Sequence, residues 1–292
     1  MKKEVYSLKE IIQLSKEYLE KHDVKSARLE SELFLSHILK CDRLKLYLDF
    51  DKPVAESERD ALREFLKRRA SGEPTAYILN KKEFMALEFY VDNRVLIPRP
   101  DTEFVVEFAI DKIKNTFANK PQIDIIDIGV GSGAICVSLA HYLQNAKIIG
   151  IDKSPDALEV AKINAEKHNV ADRILFKEGD LLNNIEWEFD VIISNPPYIK
   201  RSEIDNLQTE IKKHEPIIAL DGGVDGLDFM SRIISSAAEH INPSGLLFIE
   251  IGYDQGQDVL NLFSQTSEYS HFEVMKDLAG NDRLAFGIRK NP

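Results

Sequence analysis

The hydrophobic positions change their period partway along the chain. Near the start, Leu8, Ile11, Ile12, Leu14, Ser15, Tyr18 and Leu19 recur at helical spacing, as do Leu29, Leu33, Phe34, Ile38 and Leu39 behind the candidate cap Ser26. A third helical run through Leu62, Phe65 and Leu66 is expected to begin at Ser57, with Asp60 at the capping-box position, and to stop at Gly72. Residues 1–80 are therefore predicted to form a small helical bundle, whose expected use is packing or partner recognition, because no side chain in it suggests catalysis. Residues 81–100 carry the apolar runs Phe84-Met85 and Leu87-Glu88-Phe89-Tyr90-Val91, broken by Asp92-Asn93, which reads as a β-hairpin linker. Ile97-Pro98-Arg99-Pro100-Asp101-Thr102-Glu103 then leads rigidly into a helix capped by Asp101 or Thr102, an arrangement that would bring Arg99 and Glu103 near a ligand.

From Gln122 the pattern alternates strand and helix. Expected strands are Ile123 to Ile128, Lys147 to Ile151, Ile174 to Lys177, Phe189 to Ser194 and Gly245 to Ile251, with helices starting near Ser132, Pro155, Asp228 and Asp254. The last two strands, Phe272 to Lys276 and Leu284 to Arg289, are joined by a connection too short for a helical crossover, so that pair must be antiparallel. The third domain, residues 101–292, is thus an α/β domain with a parallel sheet and a terminal antiparallel hairpin. That layout resembles the Rossmann-like class I methyltransferase sheet.

Composition narrows the class. With 292 residues and 43% hydrophobic content the chain can bury a large core, and no apolar run approaches a membrane span. Met1-Lys2-Lys3-Glu4 leads into an amphipathic pattern rather than a signal-peptide core, so a cytoplasmic protein with no membrane partner is expected. Only Cys41 and Cys136 occur, and the seven histidines form no ligand-spaced cluster, so neither a disulfide framework nor a metal site is indicated. The formal charge of −11 argues against stable nucleic-acid binding. It is uneven: up to Glu83 there are 18 Lys and Arg against 16 Asp and Glu, beyond it 20 against 33. Within the first part, Lys67-Arg68-Arg69 reads as a solvated helix end.

Two segments carry candidate chemistry. Ser194-Asn195-Pro196-Pro197-Tyr198 follows a buried-strand pattern and would sit at the sheet edge where open α/β folds bind ligands. Prolines lack an N–H and hold the preceding carbonyls extended, so these carbonyls and the Asn195 side-chain oxygen form a cluster of neutral acceptors suited to an NH2 group. Tyr198 would add a flat face. The implied chemistry is transfer to a planar, weakly nucleophilic nitrogen, an amide or a base amine; a plain strand-ending turn is the alternative. The other segment, Asp127-Ile128-Gly129-Val130-Gly131-Ser132-Gly133-Ala134, gives a tight turn and free N–H groups at a helix start, and fits dinucleotides as well as S-adenosylmethionine. Asp152, 19 residues beyond Gly133, could accept both ribose hydroxyls; Asp180 could meet an adenine amino group, and the Leu181 N–H a ring nitrogen. Carboxylates at three successive strand ends would surround a sulfonium and repel a pyrophosphate, which favours S-adenosylmethionine.

In combination, Gly72-Glu73-Pro74-Thr75-Ala76-Tyr77-Ile78, Ile97 to Glu103, Asp127 to Gly133, Ser194 to Ile199, Glu215-Pro216, Ala219-Leu220-Asp221-Gly222-Gly223, Gly226-Leu227 and Glu250-Ile251-Gly252 resemble the HemK/PrmC family. These are protein-(glutamine-N5) methyltransferases acting on peptide-chain release factors. The resemblance spans about residues 70–285; the N-terminal helices resemble the family only in pattern. It implies that Gly129, Val130, Gly131, Ser132, Gly133, Asp152, Asp180, Leu181 and Asn195 bind S-adenosylmethionine, yielding S-adenosylhomocysteine. It further implies that Asn195, Pro196, Pro197 and Tyr198 hold and activate a glutamine of a Gly-Gly-Gln motif in class 1 release factors. Val130 departs from the usual Thr, with little expected effect since that position contributes mainly backbone. Three alternatives stand beside this: a ribosomal-protein glutamine methyltransferase, an adenine amino-methyltransferase of nucleic acid and a non-catalytic adenosyl-binding module. The first usually differs at the Ile-Pro-Arg element, the second is disfavoured by charge and the lack of a target-recognition domain, and the third would not need paired prolines.

Overall fold

A computed structural model describes residues 5–291 of the chain; the Met1-Lys2-Lys3-Glu4 lead-in and Pro292 lie outside the described residues. The chain forms two compact units, one running to Lys81 and including Gln208–His214, the other running from Lys82 to Leu207 and from Glu215 onward.

In the first unit the predicted helices form as α1 (Leu8–Glu20), α2 (Ala27–Leu39) and α4 (Glu56–Ala70), joined by the shorter α3 (Arg43–Leu48) and α5 (Thr75–Leu79) and by Thr209–His214, which is α9 in chain order. Their apolar stripes meet around Leu19, Phe34, Leu35 and Leu46, all essentially inaccessible, whereas Leu14 and Leu29 of the predicted stripes face solvent. The caps differ from expectation. Ala55, not Ser57, is the N-cap of α4, and Glu58 reaches back to its N–H at 2.7 Å; Ser26 occupies the cap of α2 without a side-chain bond. The basic cluster is a solvated end only in part: Lys67 is exposed, but Arg69 is not. Arg69 is buried between Glu30 and Glu210 at 2.5 Å each, and Arg68 pairs with both Glu73 oxygens. Once buried, a guanidinium needs such partners, because an unpaired charge there costs several kcal/mol.

In the second unit, β1 (Lys82–Phe84) and β2 (Leu87–Phe89) form the hairpin. Its turn is Met85-Ala86, both at positive φ (52° and 56°), rather than Asp92-Asn93. The segment after it is not a free linker. Tyr90 exchanges backbone bonds with the buried Asn164 side chain at 2.7 and 2.9 Å, and the same amide bonds the Ser132 carbonyl at 2.8 Å. Helix α6 (Pro100–Thr116) has Arg99, not Asp101 or Thr102, at its N-cap, with Pro100 in the first turn where a missing N–H costs nothing.

Strands β3 (Ile123–Ile128), β4 (Ala146–Asp152), β5 (Ile174–Glu178), β6 (Phe189–Ser194) and β7 (Ile241–Glu250) are parallel, and alternate with α7 (Ala134–Tyr142), α8 (Pro155–Lys167), α10 (Asp228–Ala237) and α11 (Gly256–Ser264). Strands β8 (Tyr269–Lys276) and β9 (Asp282–Arg289) complete the sheet in the order β5-β4-β3-β6-β7-β9-β8. Among the described strands of this sheet β9 alone runs opposite to the rest, since it pairs antiparallel with both β7 and β8. The hairpin thus folds back so that its second strand lies inside the first. The strand order reverses between β3 and β6, where Ile128 lies beside Ser194 in register. Their C-terminal ends open the crevice in which such sheets bind ligands.

Candidate active site

The crevice is built by two loops leaving adjacent strands. After β3, Gly129, Gly131 and Gly133 take φ of 77°, 54° and 83°, a left-handed path that a Cβ would strain. The Gly129 N–H donates to the Ile151 carbonyl at 2.8 Å and the Gly131 N–H to Asp152 Oδ2 at 2.8 Å, so the loop is tied to the end of β4. Gly133 has a different part: it is the N-cap of α7, and a Cβ there would meet the Ala161 backbone at 3.2 Å, so it sets how closely α7 approaches α8. The cavity is lined by Gly129, Val130, Gly131, Ser132, Asp152, Asp180, Leu181, Asn195, Pro196 and Pro197, while neither Gly133 nor Tyr198 lines it.

After β6, the Ser194 hydroxyl donates to the Ile128 carbonyl at 2.8 Å, which locks the start of the second loop to the end of β3. Asn195 then donates from Nδ2 to Thr102 Oγ1 at 3.2 Å, and its Oδ1 has no hydrogen-bond partner among the described residues. Tyr198, expected as a flat wall, is instead turned into the protein, its hydroxyl donating to Glu250 Oε1 at 3.3 Å. Burial raises the Tyr198 pKa, and the neighbouring Glu250 charge adds to this.

A third chain segment holds this loop from behind. Ile199 forms a parallel bridge with Asp221, and Gln255 Nε2 donates to the Tyr198 and Gly226 carbonyls at 3.1 Å each. A Cβ on Gly222 would fall 2.7 Å from Tyr198 Cα and 2.9 Å from the Pro197 carbonyl oxygen. Those are backbone atoms that cannot rotate away. Gly222→Ala is therefore expected to push the Pro197-Tyr198 backbone outward and lower turnover by roughly tenfold to a hundredfold, as displacements near 1 Å do, with cofactor affinity little changed. Steady-state kinetics beside calorimetric cofactor titration checks this; normal turnover would mean that the loop tolerates displacement.

Sequence matches agree with this geometry. Residues 10–79 match the model of the PrmC N-terminal domain and residues 119–216 that of a methyltransferase domain. The release factor glutamine methyltransferase of Geobacter sulfurreducens is 42% identical, over 98% of this chain and 98% of its own. That of Rhodopirellula baltica is 37% identical, over 96% of this chain and 95% of its own. The chain belongs to the release factor glutamine methyltransferase family. Among solved structures, the hMettl16 catalytic domain in complex with a MAT2A 3′UTR hairpin superposes with a TM-score of 0.57 at 16% identity, covering 78% of this chain and 83% of that one. At that identity the likeness speaks for the Rossmann-like methyltransferase fold alone.

The fold and family make the protein a methyltransferase of the S-adenosylmethionine type, but the charge argument made from sequence needs correcting. Of the three strand-end carboxylates, Asp127 is fully buried and does not line the cavity. Its Oδ2 accepts from the Cys136 N–H at 3.1 Å, Oδ1 has no partner among the described residues, and burial pushes its pKa up to about 7. Asp180 lines the cavity but is paired with Arg232 at 2.7 Å. Asp152 alone combines a place in the cavity wall with freedom from a cationic partner. Its oxygens accept from the Gly131 and Ser154 N–H groups at 2.8 and 2.9 Å; burial raises its pKa, and these N–H groups with that of Lys153 oppose the rise. Leu181, which follows Asp180 in the chain and also lines the cavity, holds φ at 55°, unusual for a residue with a Cβ.

The residues before α6 divide. Arg99 lines the cavity with its guanidinium on the buried Glu215 at 2.6 Å, whereas Glu103 instead accepts from the Met85 N–H at 3.3 Å. Thr102 and Glu250 were not singled out from sequence as functional, yet they meet the Asn195-to-Tyr198 loop from α6 and from the end of β7. The signal available was a hydroxyl and an acid at element ends beside the two strand-end motifs; their convergence is tertiary.

Proposed function

We propose that this protein methylates the side-chain amide nitrogen of a glutamine in class 1 peptide-chain release factors, using S-adenosylmethionine. What carries the reading is the free Asn195 Oδ1 in a cavity that Asn195, Pro196 and Pro197 line, in a chain of this family. S-adenosylmethionine, when bound, supplies the electrophilic methyl group. The residues present fit it: Asp152 is a carboxylate in the cavity wall whose partners are all backbone N–H groups, so lone pairs remain for a ribose diol. The Gly129-to-Ser132 turn and Leu181 would hold the remainder.

An amide nitrogen is a poor nucleophile because its lone pair is delocalised into the carbonyl. Asn195 Oδ1 and the Pro196 carbonyl would accept its two N–H hydrogens, orient the nitrogen and disperse the positive charge that develops on it. No strong base is then required before attack, and proton loss can follow. With a net charge of −11 and a protein substrate, the enzyme is read as working in the cytoplasm without stable nucleic-acid binding. Incubation with labelled S-adenosylmethionine and purified release factors, followed by mapping of the label, tests the reading. Label on the glutamine of Gly-Gly-Gln is expected; label only on a ribosomal protein or on nucleic acid would replace it.

Asp152→Ala provides a separate check of the cofactor assignment. Each hydrogen bond from a charged carboxylate is worth roughly 1.5 to 3 kcal/mol, so S-adenosylmethionine should bind at least about tenfold more weakly. Unchanged affinity in a folded variant would remove Asp152 from the cofactor site.

A further inference from the structure

The cavity wall contains a guanidinium that is held in place yet only partly used. Arg99 lies between Pro98 and Pro100 at the N-cap of α6, and its Nη2 donates to Glu215 Oε1 at 2.6 Å. Glu215 is buried, and its Oε2 accepts from the Ile97 N–H at 3.2 Å, so both carboxylate oxygens fix Arg99 and the backbone just before it. A carboxylate is costly to bury unless it is paired, and for packing alone an apolar residue would serve as well. The Arg99 side chain itself stays 33% exposed, and its Nε and Nη1 have no hydrogen-bond partner among the described residues.

Two other cations line the same cavity. Arg94 is committed to both Asp92 oxygens and to Glu159. Lys153 is exposed and directly follows Asp152, which places it beside the proposed ribose site. Arg99 belongs to the other side. Its carbonyl accepts the Thr102 N–H at 3.1 Å, and Thr102 Oγ1 accepts from Asn195 Nδ2 at 3.2 Å, so its backbone is tied to the Asn195 loop. In S-adenosylmethionine the sulfonium carries the ribose on one arm and an amino-acid chain ending in a carboxylate on another. With the ribose at Asp152 and the methyl group aimed at an amide held by Asn195, that carboxylate lies past the sulfonium, away from the Asp152 charge that would repel it.

We propose that Arg99 recognises the terminal carboxylate of S-adenosylmethionine, and that Glu215 is the positioning residue that holds Arg99 to this task. A guanidinium presents its donors in a planar fork that matches a carboxylate. The Glu215 pair anchors that fork through one donor and leaves those on Nε and Nη1 for the ligand. The flanking prolines restrict the backbone from which the side chain springs, so little freedom is lost when the carboxylate arrives.

The inference rests on the reading of Asp152 and Asn195 given above, and the test separates the two. The readout is calorimetric titration with S-adenosylmethionine and with its decarboxylated form, which keeps the ribose, the sulfonium and the amine. The unaltered protein should bind the decarboxylated form about tenfold to a hundredfold more weakly, the usual loss for a charge-assisted hydrogen bond. Arg99→Met should weaken S-adenosylmethionine by about the same factor and leave the decarboxylated form as tight as before, which also verifies folding. Because that change strands the buried Glu215 carboxylate, Arg99→Met/Glu215→Gln is measured beside it and should lose the discrimination equally. Equal losses for both ligands in both variants would make Arg99 a structural residue and overturn the proposal. So would unchanged S-adenosylmethionine affinity in Arg99→Met with a raised KM for release factor, which assigns the guanidinium to the protein substrate. Discrimination lost in Lys153→Met but kept in Arg99→Met moves the carboxylate to Lys153. Unchanged S-adenosylmethionine affinity in Asp152→Ala, with the Arg99 discrimination intact, would sink the ribose assignment and leave Arg99 in its role.

Discussion

Replacing Asn195 by alanine is expected to lower turnover on release factor by on the order of a hundredfold or more, the usual cost of removing one aimed group from a preorganised site. The residue is fixed from several directions. Ser194 ties its strand end to Ile128, Thr102 holds its Nδ2, and the prolines after it restrict the backbone. Its Oδ1 is therefore already aimed before substrate arrives, and alanine removes that acceptor without leaving a group to replace it. Cofactor affinity should change far less, because Asp152 and the glycine turn, not the Asn195 amide, would carry most polar contacts to the adenosyl group. Calorimetry and single-turnover rates distinguish the roles. Lost cofactor binding with normal turnover per bound enzyme would make Asn195 a cofactor residue.

A comparable loss is expected when the substrate rather than the enzyme is changed. A release factor whose acceptor glutamine is replaced by asparagine should still dock, yet be methylated at least about a hundredfold more slowly. Asparagine carries the same amide on a stem one methylene shorter, so its nitrogen falls about 1 Å or more short of the acceptors unless the backbone moves inward. Neither side yields easily. The Pro197-Tyr198 backbone is backed by Gly222 at a separation that leaves no room for a Cβ, and Gln255 holds the Tyr198 carbonyl at 3.1 Å. Flanking glycines in the substrate would matter for another reason, since without a Cβ they let the backbone enter a narrow slot. Rates for the two release factors under single-turnover conditions decide the matter. Comparable rates would mean that the loop does not set the reach, and would reopen a broader amide or adenine specificity.

Local pattern was sufficient for the architecture of the sheet. Strands buried on both faces must be continuously apolar, so Ile123–Ile128 and Phe189–Ser194 announce themselves, and their C-terminal punctuation by Gly129 and by Pro196-Pro197 follows from backbone chemistry that does not depend on neighbours. The short Asp277-to-Arg283 connection likewise forced an antiparallel pair, because no crossover fits in it. What pattern did not contain was the direction of polar side chains. Asp127, Asp152 and Asp180 look equivalent as strand-end acids, but the packed neighbours bury the first, leave the second to backbone N–H groups and give the third to Arg232. Tyr198 turned inward and Glu103 turned to the hairpin for the same reason: each found a partner distant in sequence, Glu250 for one and Met85 for the other. Period and punctuation are properties of a few consecutive residues, and sequence by itself determined the strands and the crevice between them. Which carboxylates remain available to a ligand, and which end of the Asn195 amide faces it, depends on packing and on partners such as Arg232 and Thr102, 52 and 93 residues away from Asp180 and Asn195, so only the tertiary structure could decide it.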